Sequence, residues 1–233
     1  MKFRYLVMAA AMPLAVFSQS AAAQDEAEAP ATWEVDGYIS GLTDYRFRGI
    51  SLSSKNPALQ AEVSVAHESG FYGAVWASNV SDGSGAEDLE IDLTLGYSVE
   101  TNGVTVDVGA VYYAFPGSGE FNYPEFYGSI GGAVGPAEVT VGVAYVPEQD
   151  TYGDDNFYAY ISGDYAVGES PVSLHGTFGY ENGAFGDKKL DWLVGATYEF
   201  DGGWSATLDY IDTRRSFSNL GDATAVFSIT KSF

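Results

Sequence analysis

The chain has 233 residues, no cysteine, and 32 acidic against 10 basic residues, for a formal net charge of −22. This acidic balance argues against a polyanionic nucleic acid as a partner. The absence of cysteine excludes a fold that depends on disulfide bonds.

The N-terminal segment has the pattern of a secretory signal peptide over residues 1–23. A positively charged start precedes an apolar run, Leu6–Phe17, which is too short to span a bilayer, and three alanines follow before Gln24. Residues 24–32 are acidic and predict a flexible lead-in. A single anchoring helix is the alternative, which the short run disfavours. We therefore expect the folded domain to occupy residues 33–233.

Twelve segments of alternating apolar and polar residues fill that domain, and this period of two predicts β-strands. Turns rich in Gly, Pro, Asn and Asp alternate strictly with longer connections. The predicted strands are 33–48, 57–67, 71–80, 88–99, 104–115, 123–134, 137–147, 157–167, 172–180, 189–200, 204–213 and 223–233. The predicted long connections are 49–56, 81–87, 116–122, 148–156, 181–188 and 214–222. An even number of such strands predicts an all-β, transmembrane, antiparallel up-and-down β-barrel, with both termini and the short turns in the periplasm.

The fourth predicted strand shows most clearly which face of the sheet contacts lipid and which lines the lumen. Leu89, Ile91 and Leu93 alternate with Glu90 and Asp92. Lipid cannot solvate carboxylates, so the polar face must line the lumen. The inferred barrel therefore lies in the outer membrane of a Gram-negative bacterium.

The same alternation predicts a strongly acidic lumen. The predicted pore-lining residues are Asp44, Arg46, Arg48, Glu62, Glu90, Asp92, Asp107, Glu125, Tyr158, Tyr160, Asp164, Asp191 and Asp209. Rings of carboxylates select for cations, so we predict a weakly cation-selective channel for small hydrophilic solutes. Two roles are open for Arg46 and Arg48, since a guanidinium binds either carboxylates on neighbouring strands or an anionic solute.

Most other basic residues fall at the long-loop end, where we predict a basic outer mouth formed by Lys55, Lys188, Lys189, Arg214 and Arg215. These cations are candidates to bind the phosphates of lipopolysaccharide, and membrane lipids are the expected surroundings. An alternative to the channel is a narrow barrel filled by paired side chains, with a structural, envelope or adhesion role.

Enzymatic activity is not predicted. A lipid hydrolase is a remote alternative, because His175 falls on an inward position and the chain contains no G-x-S-x-G motif. No cofactor is predicted, and no residues have metal-ligand spacing beyond scattered carboxylates that could hold Ca²⁺ at the mouth.

The last strand resembles the terminal sequence that the barrel-assembly machinery reads in outer-membrane proteins. Phe227, Ile229 and Phe233 occupy its apolar positions, whereas Lys231 departs from it. We expect these three apolar residues to act as the assembly signal.

A longer stretch resembles the opening motif of the TorF family, whose members are described as porins because of their barrel character. The resemblance is densest from Gly41 to Gly96. It is carried by Gly41–Ser51, Asn56–Gln60, His67–Val80 and Glu90–Asp92. Gly73-Ala74 is a small departure, because the family typically has Ala-Gly or similar there. The resemblance implies a porin-like outer-membrane barrel and transfers no catalytic residues.

Overall fold

A computed structural model of the protein describes residues 32–81, 88–117 and 119–233. The predicted signal peptide, and the predicted lead-in up to residue 31, lie outside these residues. The described chain forms one closed barrel, which confirms the predicted twelve-stranded antiparallel architecture. No helix within the described ranges is long and apolar enough to cross a membrane.

The described residues form fourteen strands, of which twelve form the barrel and two form a small separate hairpin. They are β1 (Trp33–Leu42), β2 (Arg46–Phe47), β3 (Ile50–Ser51), β4 (Ala58–His67), β5 (Phe71–Asn79), β6 (Leu89–Thr101), β7 (Val104–Ala114), β8 (Tyr123–Val134), β9 (Ala137–Val146), β10 (Asn156–Ala166), β11 (Val172–Gly183), β12 (Gly186–Phe200), β13 (Trp204–Arg214) and β14 (Thr224–Ser232). Short 3₁₀ helices cover Gly119–Phe121 and Asn219–Gly221.

The barrel closes where β1 pairs with β14, from Tyr38 opposite Ser232 to Leu42 opposite Ser228. The final residue extends this seam, because Phe233 and Gly37 exchange two backbone hydrogen bonds of 3.0 and 3.2 Å. The Phe233 ring lies so close that a Cβ on Gly37 would overlap it. Closure leaves no edge strand in the barrel sheet that the structure describes, which is what a barrel in lipid requires.

Alternation along each strand separates an apolar outer face from a polar inner face. On β6, Leu93 and Leu95 are exposed on the outside, whereas Thr94 is buried inside. On β7, Val108 is exposed outside and Asp107 is buried inside. We call the end where β1 begins and β14 finishes the terminal end, and the opposite end the loop end.

The structure corrects the prediction in two places at the loop end. The first strand ends at Leu42 instead of residue 48, because the chain leaves the wall there and turns into the lumen. The predicted long connection 181–188 is wrong. β11 and β12 continue through it to Gly183 and Gly186, across a register shift, and leave only a two-residue turn. Within this stretch, Glu181 continues the inward positions of β11 and is buried.

Candidate functional site: a hairpin and ion cluster in the lumen

The connection between β1 and β4 folds into the barrel, and we call residues 43–57 the lumenal hairpin. Its strands β2 and β3 pair Arg46 with Ser51 and Phe47 with Ile50. The turn at Arg48 and Gly49 has φ values of 48° and 82°, the left-handed pair that a tight hairpin turn requires.

The hairpin contacts wall strands on both sides of β1. A Cβ on Gly49 would overlap the Thr213 side chain on β13 and lie 3.0 Å from Asp191 Cβ on β12. The Phe47 ring packs edge-on against Tyr113 of β7, with 5.9 Å between ring centroids. The hairpin therefore crosses the lumen at the loop end.

Asp44 organises the base of the hairpin. Its carboxylate accepts hydrogen bonds from Arg46 Nε at 2.6 Å, Ser51 Oγ at 2.5 Å and Ser53 Oγ at 3.1 Å. Arg46 also donates through Nη1 to the carbonyl oxygen of Leu220, at 2.6 Å. The same arginine thus stabilises the hairpin and attaches it to the loop between β13 and β14.

Arg48, at the turn of the hairpin, contacts side chains on β8, β10 and β11. Its Nη2 donates to both carboxylate oxygens of Glu125, at 2.7 and 2.6 Å, and its Nη1 donates to Glu181 Oε1 at 3.1 Å. The guanidinium carbon lies 4.2 Å from the ring centroid of Tyr158, a cation–π distance. Burial favours a lower pKa for Arg48, but Glu125 and Glu181 outweigh it and raise that pKa well above its ordinary value.

Lys189 completes this arrangement, and its position corrects the prediction that it belongs to the outer mouth. Only 1% of its side chain is exposed, because Lys189 shares the inward face of β12 with Asp191. Its Nζ lies 3.0 Å from Glu181 Oε2 and 3.2 Å from Asp191 Oδ2, and donates to the Arg48 carbonyl oxygen at 2.5 Å. Tyr158 OH donates to Asp191 Oδ1 at 3.0 Å.

We call this group the loop-end cluster, formed by Arg48, Glu125, Tyr158, Glu181, Lys189 and Asp191. Every charged member contacts a group of opposite charge. Of the two roles left open, Arg48 has the one in which it binds carboxylates on wall strands, whereas Arg46 binds Asp44 within the hairpin itself. These ion pairs, hydrogen bonds and the cation–π contact attach the hairpin non-covalently to β8, β10, β11 and β12.

The remaining predicted lumenal acids also lie on inward positions. Glu90 is at the loop end of β6, whereas Glu62, Asp92 and Asp107 lie farther along their strands toward the terminal end. Glu90 is buried, Glu62 and Asp92 are half-buried, and Asp92 Oδ1 has no hydrogen-bond partner. Asp107 Oδ1 accepts a hydrogen bond from Tyr72 OH at 2.9 Å. Glu62, Asp92 and Asp107 form no ion pair of 4.0 Å or less with a basic residue of the described chain.

Near the terminal end, Asp164 on β10 is exposed and stands directly opposite Glu138 on β9. Asp209 lies 2.6 Å from Nε2 of the inward His175, across Gly195, where a Cβ would overlap both side chains. This histidine therefore contacts a lumenal carboxylate.

Sequence reasoning missed two features of the lumen. Glu181 was assigned to a loop, although it alternates with the inward residues of β11. Inward tyrosines also lie flat over glycines of neighbouring strands: a Cβ on Gly96 would overlap Tyr72, and one on Gly142 would overlap Tyr160. A tyrosine opposite a glycine in the strand register was the available signal.

The other predicted mouth cations and the predicted assembly residues lie on the surface. Lys55 pairs with Asp222 at 3.5 Å, and the exposed Lys188, Arg214 and Arg215 lie at the loop end. Phe227, Ile229 and Phe233 are exposed on the outer face of the last strand or its end. No group of three or more potential metal ligands occurs within the described ranges.

Solved structures with the same fold include several porins. The KdgM porin superposes with a TM-score of 0.58 at 10% identity, covering 86% of this chain and 98% of that chain. A KdgM porin in complex with disordered oligogalacturonate gives 0.58 at 11% identity, with coverages of 86% and 98%. The NanC porin gives 0.53 at 13% identity, covering 84% and 98%. At these identities the similarity shows the fold alone.

Comparison with proteins of curated function gives no significant match. A family model described as "Bacterial protein of unknown function (Gcw_chp)" matches residues 26–233, nearly the whole chain. The chain therefore belongs to the Gcw_chp family.

Proposed function

We propose that this protein is an outer-membrane, porin-like channel for the passive passage of small hydrophilic solutes, with weak cation selectivity. The observation that carries the proposal is a closed barrel with an apolar outer surface and a polar inner wall on which Glu62, Asp92 and Asp107 form no ion pair with a basic residue of the described chain. The resemblance to the TorF family agrees with this proposal.

The outer surface supports the membrane location. Large apolar side chains such as Leu95 (74% exposed) and Val194 (63% exposed) cover the outside of the wall. Apolar surface of this extent is rare on soluble monomers and typical of contact with lipid. Exposed Trp33, Phe71 and Trp204 lie near the terminal end, where aromatic rings suit the headgroup level.

The inner wall supports cation selectivity. Glu62 and Asp92 are half-buried inward acids, and Asp107 is a buried one. The buried basic groups Arg46, Arg48 and Lys189 already bind other carboxylates. Uncompensated carboxylates in a low-dielectric channel attract cations and repel anions.

This charge also bears on the kind of solute. One similar porin structure contains oligogalacturonate, an acidic sugar polymer. The acidic wall described here opposes a polyanion, so we propose small neutral or cationic solutes for this chain.

A second candidate function follows from the lumenal hairpin. The hairpin and the loop-end cluster fill the lumen at one end, which favours a narrow barrel with a structural role. The two candidates differ in conductance: a channel passes ions through gaps beside the hairpin or when it moves, whereas a filled barrel passes none.

The selectivity test uses the mature protein in planar bilayers under a KCl gradient. We expect discrete conductance and a reversal potential that indicates cation preference. Replacing Glu62→Gln, Asp92→Asn and Asp107→Asn together should reduce that preference. The matched control, Glu148→Gln with Asp150→Asn and Asp154→Asn, removes three exposed loop carboxylates and should change it little.

Two results would contradict the channel proposal. Absence of conductance from a correctly folded barrel would favour the structural role. Anion selectivity in the unaltered protein would show that the buried arginines control permeation. A preference that weakens with rising salt is expected, since the Debye length falls to about 10 Å at 0.1 M.

The membrane location has its own test on adjacent residues of β10. Ile161 is exposed outside, whereas Ser162 lies inside among threonines of β9 and β11. An arginine in the middle of the lipid face costs about 2–4 kcal/mol, so Ile161→Arg should lower the unfolding free energy in vesicles far more than Ser162→Arg. Equal losses would contradict the assigned lipid face.

A further inference from the structure

We propose that an exposed patch at the loop end binds lipopolysaccharide. Its basic residues Lys188, Arg214 and Arg215 contact the phosphate groups, and Phe217 adds an apolar side chain. The proposal depends on the outer-membrane location but not on conduction through the barrel. It rests on a difference between the basic residues of the loop end: some bind carboxylates of the protein, and others form no ion pair among the described residues.

The basic residues of the loop end divide into two groups. Arg46, Arg48 and Lys189 are buried and bound to carboxylates, and the exposed Lys55 pairs with Asp222. By contrast, the exposed Lys188, Arg214 and Arg215 form no ion pair within the described part of the chain. Their charges are therefore available to an external anion.

The three cations lie together at the ends of two paired strands. Arg214 on β13 stands opposite Leu190 on β12. Arg215 Nη1 donates to the carbonyl oxygen of Lys188 at 3.2 Å, which holds the arginine against the end of β12. One multiply charged ligand could therefore contact all three.

The patch adjoins the outer, lipid-facing surface. Arg214 lies two outward positions beyond Tyr210, which is exposed, and Trp192 lies on the outer face of the adjoining strand. Tyrosine and tryptophan settle at the headgroup level of a bilayer. This geometry places the cations where lipid phosphates lie.

Neighbouring groups leave the patch positive. The nearby acids Asp212 and Asp187 carry two negative charges against the three positive ones. Asp212 accepts hydrogen bonds from Thr213 N at 2.8 Å and Tyr210 OH at 3.4 Å, and Asp187 is exposed. The loop between β9 and β10 offers a contrast, because residues 147–155 contain four acids and no basic residue. The loop end is therefore polarised, with its positive sector on β12 and β13.

An exposed aromatic side chain adds an apolar component. Phe217, three residues after Arg214, is 73% exposed and follows the two arginines in the same loop. Cations beside an apolar group suit an amphiphile better than a free inorganic ion. Three cations also suit a lipid with more than one phosphate, as lipid A has, better than a lipid with a single phosphate.

The test measures lipid binding to the refolded mature protein in detergent by native mass spectrometry. The probes are bis-phosphorylated lipid A, phosphatidylglycerol and inorganic phosphate. We expect Arg214→Gln with Arg215→Gln to weaken lipid A binding on the order of tenfold, since each basic residue near an anionic surface adds measurably to affinity. The control, Lys55→Gln with Lys231→Gln, removes two other basic residues and should change binding less than about twofold.

A charge-preserving variant separates binding from folding. Arg214→Lys with Arg215→Lys should retain most of the affinity, and conductance should be the same in all folded variants. Unchanged binding in the Gln variant, or an equal loss in the control, would overturn the proposal. Equal affinity for phosphatidylglycerol and lipid A would overturn the assignment to lipopolysaccharide. Binding of inorganic phosphate without binding of either lipid would overturn the conclusion that the ligand is a lipid.

Discussion

The two halves of the lumen use carboxylates in opposite ways. At the loop end, Glu125, Glu181 and Asp191 are buried and bound to Arg48 or Lys189. Toward the terminal end, six inward acids are exposed, and none of them forms an ion pair with a basic residue of the described chain. These exposed acids are Glu34, Asp36, Glu100, Glu138, Asp164 and Glu199.

The hairpin causes this difference. Both halves have the same strands and the same alternation, but only the loop end receives a segment that excludes water and brings cations. A buried carboxylate needs a partner because low dielectric makes an uncompensated charge costly. An exposed carboxylate needs none, since water solvates it. One wall therefore forms an ionic core at one end and a solvated acidic surface at the other.

The largest expected effect comes from removing the central cation of the loop-end cluster. Arg48→Ala leaves Glu125 and Glu181 buried without their guanidinium, and breaking a buried pair costs about 3–5 kcal/mol. Urea unfolding of the refolded barrel measures the loss. Lys55→Ala, which removes an exposed ion pair, should cost about 0–1 kcal/mol. Similar losses for the two variants would show that water reaches the cluster.

A smaller effect is expected when the hairpin tip is displaced without removing charge. Gly49→Leu places a side chain against Thr213 and Asp191 at a position with positive φ, and such overpacking costs about 1–3 kcal/mol. We expect the displaced hairpin to widen the lumen and raise single-channel conductance.

The control for this variant is Gly153→Leu. Gly153 also has a positive φ, of 72°, but a Cβ there would meet no atom within 4 Å. Its conductance should match that of the unaltered protein. If Gly49→Leu also leaves conductance unchanged, the hairpin does not limit passage.

The smallest effect is expected at the terminal end. Glu138 and Asp164 face each other directly, and like charges in opposed positions destabilise a sheet. Glu138→Gln should raise the unfolding free energy by about 0.2–1 kcal/mol. Glu34→Gln is the control, because Glu34 stands opposite Ala66. A lower unfolding free energy for Glu138→Gln would mean that the stability of the terminal end also depends on its carboxylates.

The barrel itself was predictable from local pattern. Alternation on β6 and β7 identified the outward Leu93 and Val108 and the inward Asp107, because a strand's side chains face opposite sides in turn. Strand β8 has the predicted bounds, 123–134. Its ends carry clear signals, with a 3₁₀ turn before it and Gly135 with positive φ after it.

The site was only partly predictable. The sequence identified Arg46 and Arg48 as inward residues, but alternation continued to residue 48 although the wall ends at Leu42. A two-residue period describes a hairpin inside the lumen as well as a strand in the wall, so it cannot separate them. Arg48 meets Glu125 and Glu181 across 77 and 133 residues of chain, and only barrel closure brings them together.

The sequence by itself therefore determined the architecture, the two faces and the acidity of the lumen, because these follow from local periodicity and composition. The tertiary structure decided which charges are paired. It buried Lys189, left Lys188 exposed one residue before it, and gave Glu181 its two cations. Ion pairing depends on distances of a few ångströms between strands far apart in the chain, and a local pattern contains no information about those distances.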